Sequence, residues 1–184
     1  MPNAGRRRLD EYTPFPDPRF GGGGGESYLR FLDRTARPLV ESAFRVRADG
    51  AGNGLVGASL GGLISLYGHL SRPARFGACA AMSPSLFFAE ESLFELVAQR
   101  PYTGGRIWLD VGTAEGRRRG RGAPARSPSP AMRRLRRLRR RLESRGWRRD
   151  LDLALVEEPG ARHEEAAWAA RLEPALRHLF GALG

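Results

Sequence analysis

The chain has 184 residues, of which 41% are hydrophobic and 28% are charged. These proportions are ordinary for a single soluble globular domain. No stretch approaches the roughly 18 consecutive apolar residues of a membrane span. The basic N-terminal cluster lacks the apolar core of a secretory signal, so a cytoplasmic location is expected. The single cysteine, Cys79, excludes an intramolecular disulfide and a thiolate-rich metal site, and no metal or cofactor is expected.

The formal net charge of +11 is concentrated in one segment. Lysine is absent, and residues 117–149 hold 15 of the 31 arginines but a single acidic residue. High charge and repeated proline predict a disordered insertion at 117–130. From Pro130 the spacing predicts a helix with its apolar face on a sheet and its arginines in solvent, the apolar residues being Met132, Leu135, Leu138 and Leu142. The alternative is weak, non-specific binding of anionic polymers through residues 117–149.

Strand and helix patterns alternate along the rest of the chain. Residues 1–25 are expected to be loop-like, and a helix kinked or broken at Pro38 is predicted over 26–44. Short apolar runs predict buried strands at 53–59, 75–85, 104–113 and 150–160, with helices at 60–71, 91–100 and 164–183. The buried face of the last helix is predicted to hold Trp168, Leu172, Leu176, Leu179 and Phe180. This alternation indicates one α/β domain over 1–184, with a mostly parallel sheet covered on both faces.

The stretch NGLVGASLGGLISLYG, residues 53–68, places a serine between glycines where a strand becomes a helix. The pattern Gly57-Ala58-Ser59-Leu60-Gly61 matches the G-x-S-x-G nucleophile elbow, in which glycines let strand and helix approach closely. An inert turn of small residues is the simpler interpretation. The strand–turn–helix context favours a nucleophilic Ser59.

A nucleophilic serine needs a base, and at this type of elbow the chain order is serine, acid, histidine. His69, on the helix after the elbow, is expected to be a surface or packing residue, and His178, deep in the last helix, is expected to be at the surface. His163 lies between the last strand and the last helix and is the predicted base, with an exposed loop histidine as the alternative. Glu115 is favoured as the acid because its loop can bring it to the imidazole, and Asp110 stays open as the alternative.

Several separate stretches carry a family resemblance: RRLDEYTPF, GASLGGLISLYG, FGACAAMSPSLFF, IWLDVGTAEG and HEEAAWAARL. Over nearly the whole chain they resemble the putative esterase family of α/β-hydrolases, especially enterochelin-esterase-like and esterase D-like proteins. The resemblance implies a three-layer α/β-hydrolase fold and a small-molecule carboxylic ester as substrate. It also implies an acyl-enzyme, with Ser59 attacking, His163 as base, and Glu115 or Asp110 orienting it. Tyr12, the glycine run at 21–25 and Phe87-Phe88 would lie near the acyl pocket.

At the N-terminus the sequence departs from the pattern of this family. Members of this family begin with further strands, so the fold is expected to be N-terminally truncated. The loop that supplies the second oxyanion amide would be missing, which leaves the Leu60 N–H as the first donor, and losing one donor typically costs about 10²–10³ in turnover. The strand at Leu55 and Val56 would keep an exposed apolar edge. The alternative function is therefore an inactive hydrolase remnant whose arginine-rich segment binds anionic polymers.

Overall fold

The computed structural model describes residues 5–116 and 127–181. Its centre is a parallel sheet with strand order β1-β2-β3-β4, formed by β1 (Gly54–Ala58), β2 (Ala78–Met82), β3 (Arg106–Gly112) and β4 (Leu153–Glu158). Each pair of sequential strands is joined through a crossover that contains a helix, as parallel pairing requires. The predicted α/β fold with a parallel sheet is confirmed.

The described residues contain seven α-helices: α1 (Arg8–Tyr12), α2 (Gly25–Phe31), α3 (Arg37–Ala43), α4 (Leu60–Ser71), α5 (Glu90–Gln99), α6 (Pro130–Ser144) and α7 (Glu165–Phe180). A wider π-helical turn at Leu32–Ala36 joins α2 to α3, so the helical path continues up to Pro38 and past it. The expectation that residues 1–25 are all loop was wrong at α1. None of the described helices is long and apolar enough to cross a membrane.

Helices cover the two faces of the sheet and make three layers. On one face Cys79, Ala81, Ile107 and Leu109 pack with the apolar residues of α4, α5 and α6 in the main core. On the other face Ala78, Ala80 and Trp108 pack against α7. Alternate residues of each strand serve opposite layers, which is why β2 and β3 are apolar throughout most of their length.

The arginine-rich helix α6 belongs to the core through one face. Its predicted apolar face is buried in the main cluster, as expected, with Met132, Leu135, Leu138 and Leu142 at its centre. The Ser129 side chain caps the helix by accepting from the Met132 N–H. Outside this face, Arg136 pairs with Glu157 through two hydrogen bonds of 2.5 and 2.6 Å. Of the predicted insertion at 117–130, residues 117–126 lie outside the described residues.

The buried face of α7 agrees with the predicted one at Leu179 and differs from it at other positions. Arg171, Ala175 and Leu179 point into the protein, at the i, i+4, i+8 spacing of one helical face. Leu172 and Leu176, which were predicted to be buried, are 40% and 39% exposed. The apolar pattern predicted the wrong residues for two reasons. The small Ala175 lets the helix approach the sheet, and the buried Asp110 pairs with Arg171.

Candidate active site

Ser59 lies at the junction of β1 and α4 with φ 58° and ψ −122°. Non-glycine residues rarely adopt this backbone conformation, and where it persists the surrounding structure holds it in place. The Ser59 N–H donates to the Met82 carbonyl at 3.0 Å, and its own carbonyl accepts from Leu63 and Ser85 at 3.1 Å each. Helix α4 begins at Leu60, whose N–H is among the first in the helix and so has no intrahelical acceptor.

The two glycines that flank Ser59 differ in what they allow. A Cβ on Gly57 would collide with the Gly61 backbone and push β1 away from α4. A Cβ on Gly61 would meet nothing within 4 Å, so the predicted steric reason for a glycine is wrong at this position. The second close approach falls instead on Gly62, whose Cβ would lie 3.1 Å from the Gly57 carbonyl oxygen.

Three side chains from three loops meet at the carboxyl end of the sheet. The Ser59 hydroxyl Oγ lies 3.0 Å from His163 Nε2. His163 Nδ1 lies 2.9 Å from Glu115 Oε2. Because the strands are parallel, the loops after β1, β3 and β4 open at the same edge of the sheet, which brings together residues 104 positions apart in the chain. Ser59, Glu115 and His163 thus form one hydrogen-bonded series.

Both oxygens of the Glu115 carboxylate have hydrogen-bond partners, and the residue is only 5% exposed. Its Oε1 accepts from the Gly112 N–H at 2.8 Å and from the Ser83 hydroxyl at 2.5 Å, which leaves Oε2 for His163. Burial raises the pKa of the Glu115 carboxyl, but hydrogen bonds from His163, Ser83 and Gly112 together lower it below its ordinary value. The carboxylate is therefore ionised where the imidazole needs it.

Asp110, the alternative acid, faces away from this series. Its carboxylate is fully buried under α7 and accepts from Trp108 Nε1 at 2.8 Å, Arg171 Nη2 at 3.0 Å and the Ser83 N–H at 3.2 Å. Burial raises the pKa of Asp110 above its ordinary value, although the hydrogen bonds from Trp108 and Arg171 oppose that rise. The structure therefore brings Glu115, and not Asp110, to His163.

The other two histidines lie away from Ser59. His69 is fully buried, and its Nδ1 lies 2.8 Å from the Phe76 carbonyl oxygen, so it is a packing residue rather than a surface one. Burial lowers the pKa of its imidazole. His178 is half-buried beside Trp108, so it is not simply a surface residue, and burial lowers its pKa as well.

Sequence reasoning missed four further residues at this site. Ser83 Oγ contacts Glu115, and Ser85 Oγ lies 3.1 Å from Ser59 Oγ. The Trp168 ring packs edge-on against His163 with centroids 4.9 Å apart. Arg171 reaches Ser83 from α7. The segment AMSPS, residues 81–85, could have drawn attention because serines follow a buried strand at the same sheet edge as the elbow.

A cavity of about 310 Å³ lies beside the elbow. Its lining includes Arg8, Tyr12, Ala58, Gly61 and Trp168. Tyr12, which the resemblance placed near the acyl pocket, is one of the residues that line this cavity. Of the expected aromatic pair, Phe88 is buried in the main core, whereas Phe87 is 48% exposed and contacts the ring of Phe20. Within 5–116 and 127–181, no three His, Cys, Asp or Glu side chains are grouped so that they could hold a metal ion.

A parallel sheet between two helical layers, with a serine at a strand–helix elbow, defines a protein of the α/β-hydrolase fold class. The family model of the putative esterases matches residues 1–179. The chain is 31% identical over 182 residues to the uncharacterized protein YbbA of Bacillus subtilis, covering 95% of this chain and 70% of that protein. The chain therefore belongs to the putative esterase family, a family of carboxylic-ester hydrolases.

Other relatives match a smaller part of their own length. The siderophore triacetylfusarinine C esterase of Aspergillus fumigatus is 34% identical over 86 residues, which cover 47% of this chain and 29% of that protein. Among solved structures, the enterobactin esterase FES from Shigella flexneri superposes with a TM-score of 0.74 at 19% identity, over 100% of this chain and 41% of that one. The BES protein from Bacillus cereus superposes with a TM-score of 0.71 at 21% identity, over 96% and 64%. These superpositions show the fold, and the chain spans less than half of the Shigella esterase.

Proposed function

We propose that this protein hydrolyses carboxylic esters of small molecules through an acyl-enzyme formed on Ser59. The observation that carries the proposal is the series Ser59–His163–Glu115, with contacts of 3.0 and 2.9 Å between successive side chains. A serine hydroxyl becomes an effective nucleophile when a positioned base takes its proton, and the base works best when a carboxylate fixes its tautomer. Membership in the esterase family supports the same reaction.

Each of these residues then has a defined part in the reaction. The Ser59 hydroxyl transfers its proton to His163 Nε2 as Oγ attacks the ester carbonyl carbon. Glu115 keeps the His163 Nδ1–H in place and stabilises the imidazolium that forms. The Leu60 N–H, at the start of α4, donates to the developing oxyanion. The imidazolium returns its proton to the departing alcohol, and water then releases the acid from Ser59 by the same steps.

The cavity beside the elbow is lined by neighbours of Ser59 and His163, among them Ala58 and Trp168, and this supports a small ester as the substrate. At about 310 Å³, it is at the lower end of the range for small-molecule sites. Two relatives are named as siderophore esterases, one acting on triacetylfusarinine C and one on enterobactin. We therefore propose that the ester series used to test this protein include triacetylfusarinine C and enterobactin beside simple aryl esters.

The test is hydrolysis of p-nitrophenyl acetate and butyrate by the wild-type chain and two variants. Ser59→Ala and His163→Gln are each expected to lower kcat by roughly 10⁴-fold or more, since each removes a member of a cooperative series. His178→Gln, which changes a histidine outside the series, is the matched control and is expected to stay close to wild type. Hydrolysis that survives in Ser59→Ala, or a wild-type chain that cleaves no ester in the series, would contradict the proposal.

A further inference from the structure

The hydrogen bonds around the Ser83 hydroxyl leave Glu115 as the only acceptor for its proton. Its hydroxyl lies 3.1 Å from Trp168 Nε1, 3.1 Å from Arg171 Nη2 and 2.5 Å from Glu115 Oε1. Indole and guanidinium nitrogens can only donate, so Ser83 Oγ accepts from both and uses its two lone pairs. The single hydroxyl proton is left for the Glu115 carboxylate. Ser83 is also 2% exposed and has a φ of 44°, which the fold must hold in place.

Arg171 is itself fixed by a second carboxylate. Its side chain is 3% exposed and its Nη2 lies 3.0 Å from Asp110 Oδ1, which is fully buried. Asp110 also accepts from Trp108 and from the Ser83 N–H, so both Ser83 and Arg171 are tied to the end of β3. Buried ion pairs of this kind add little to stability compared with well-packed apolar residues, because both charges lose their hydration. Stability alone is therefore a weak reason for placing this pair behind the proposed acid.

We propose that Ser83 and Arg171 are positioning residues for Glu115, an inference that rests on the function proposed above. Arg171 and Trp168 fix the direction of the Ser83 hydroxyl, and Ser83 with the Gly112 N–H fixes Oε1 of Glu115. The remaining oxygen, Oε2, is then held toward His163 Nδ1. Neither Ser83 nor Arg171 contacts Ser59 in this arrangement, so both act through Glu115.

The proposal predicts a particular change in Ser83→Ala. Glu115 loses one of two donors to Oε1, so more of its negative charge faces the imidazole and His163 is protonated more easily. Of the charged groups near this pair, His163 from the loop after β4 contacts Glu115, whereas Asp110 from β3 and Arg171 from α7 contact Ser83. We expect kcat to fall roughly tenfold, the effect of one charge-assisted hydrogen bond, with little change in KM. The acidic limb of the kcat/KM profile moves to higher pH.

Arg171 is tested by two variants, because removing it alone leaves the Asp110 carboxylate buried without its cation. Arg171→Gln is compared with the double variant Asp110→Asn/Arg171→Gln, which removes both charges together. Arg177→Gln, an exposed arginine on the same helix, is the control and should match wild type. If Arg171 acts through Ser83, combining Arg171→Gln with Ser83→Ala lowers kcat no further than Ser83→Ala alone. Additive losses in that combination would overturn the link between the two residues.

One readout is independent of ester hydrolysis: the ring protons of His163 followed by NMR as pH changes, assigned with His163→Gln. In Ser83→Ala these protons should titrate at higher pH than in wild type. That shift in a chain that cleaves no ester would support the positioning role and refute the proposed activity. An active wild-type chain whose Ser83→Ala variant keeps both the His163 titration and the acidic limb unchanged would refute the positioning role alone. A Ser83→Ala variant that loses activity but keeps the acidic limb of the kcat/KM profile unshifted would also overturn the positioning role. Ser83 would then be only a structural residue.

Discussion

At the scale of single residues, Glu115 shows how a buried carboxylate is kept ionised. Burial favours its neutral form, and three donors favour the charged form more strongly, so its pKa lies below the ordinary value of 4.5. A carboxyl whose pKa is lowered by folding adds stability above its unfolded pKa, and this contribution is lost as pH falls through the folded pKa. The fold is therefore expected to lose the Glu115 contribution on acidification below about pH 4.5.

This expectation is checked by thermal unfolding of wild type and Glu115→Gln between neutral and acidic pH. The difference in Tm should be largest near neutral pH and shrink as the pH drops below about 4.5, because only wild type has the carboxylate contribution to lose. Glu173→Gln, which changes an exposed carboxylate on α7, should parallel wild type throughout. A difference between wild type and Glu115→Gln that stays constant with pH would contradict the account of Glu115.

The sequence could predict Ser59, Glu115 and His163 because an elbow motif and a fixed chain order constrain them. It could not predict Ser83 or Arg171. These two residues are 88 positions apart, and the only local signal is that Ser83 follows a buried strand. Their contact depends on how α7 crosses the sheet, which tertiary packing decides. Arg171 even lies on the buried face of α7, although its charge would assign it to the solvent side.

At the scale of elements, the junction of β1 and α4 depends on Gly57 more than on Gly61. Gly57→Ala places a methyl group against the Gly61 backbone and should lower the free energy of unfolding by about 1–3 kcal/mol, the usual range for overpacking. Gly61→Ala places it in open space on a helix and should leave stability unchanged or raise it by up to about 1 kcal/mol. Urea unfolding of both variants checks this, and equal losses at the two positions would contradict it.

Helix α6 provides a second test at this scale, because it is both the most basic helix and part of the core. Leu138 is fully buried, and Leu138→Ala should lower the free energy of unfolding by about 2–5 kcal/mol. Arg140 is exposed on the same helix, and Arg140→Ala should change it by no more than about 0.5 kcal/mol. Chemical denaturation measures both variants. A small loss at Leu138 would mean that α6 is held to the sheet loosely.

The spacing of apolar residues predicted the buried face of α6 but not that of α7. In α6 the other positions are mostly arginines, so a single face remains for the core. In α7 apolar residues lie on more than one face, and periodicity alone cannot choose among them. The buried face of α7 is decided by Ala175, which allows close approach to the sheet, and by Asp110, which pairs with Arg171.

At the scale of the whole molecule, exposed apolar side chains lie along one side of α7 and on β1. Leu172, Leu176 and Val56 are each about two-fifths exposed. Trp168, four residues before Leu172, lines the same cavity as Val56, which places these leucines on the β1 side of α7. Contiguous apolar surface beside the edge of a sheet promotes association between molecules.

The wild-type chain is therefore expected to self-associate as its concentration rises, as measured by sedimentation velocity. The double variant Leu172→Gln/Leu176→Gln should weaken that association. Leu151→Gln, which changes an exposed leucine before β4, is the control and should behave like wild type. A wild-type chain that stays monomeric at high concentration would contradict this expectation.

The order of strands and helices was predictable because short apolar runs alternate with amphipathic segments, and parallel pairing follows from the crossovers between them. The helix α1 was not, since a five-residue helix among prolines and glycines has too little periodicity to detect. That the loops after β1, β3 and β4 meet at the carboxyl edge of the sheet was predictable, but their atomic contacts were not. Which oxygen meets which nitrogen depends on distances that the sequence does not encode locally.

Whether Ser59 is the nucleophile is decided by labelling the protein with a fluorophosphonate and locating the covalent adduct by peptide mass spectrometry. Trypsin cuts after Arg47 and Arg75, so it separates the peptide with Ser59 from the peptide with Ser83 and Ser85. We predict a single adduct on Ser59, formed with loss of ester hydrolysis and absent from Ser59→Ala. An adduct on Ser83 or Ser85, or hydrolysis that continues after Ser59 is modified, would contradict the assignment of Ser59 as the nucleophile.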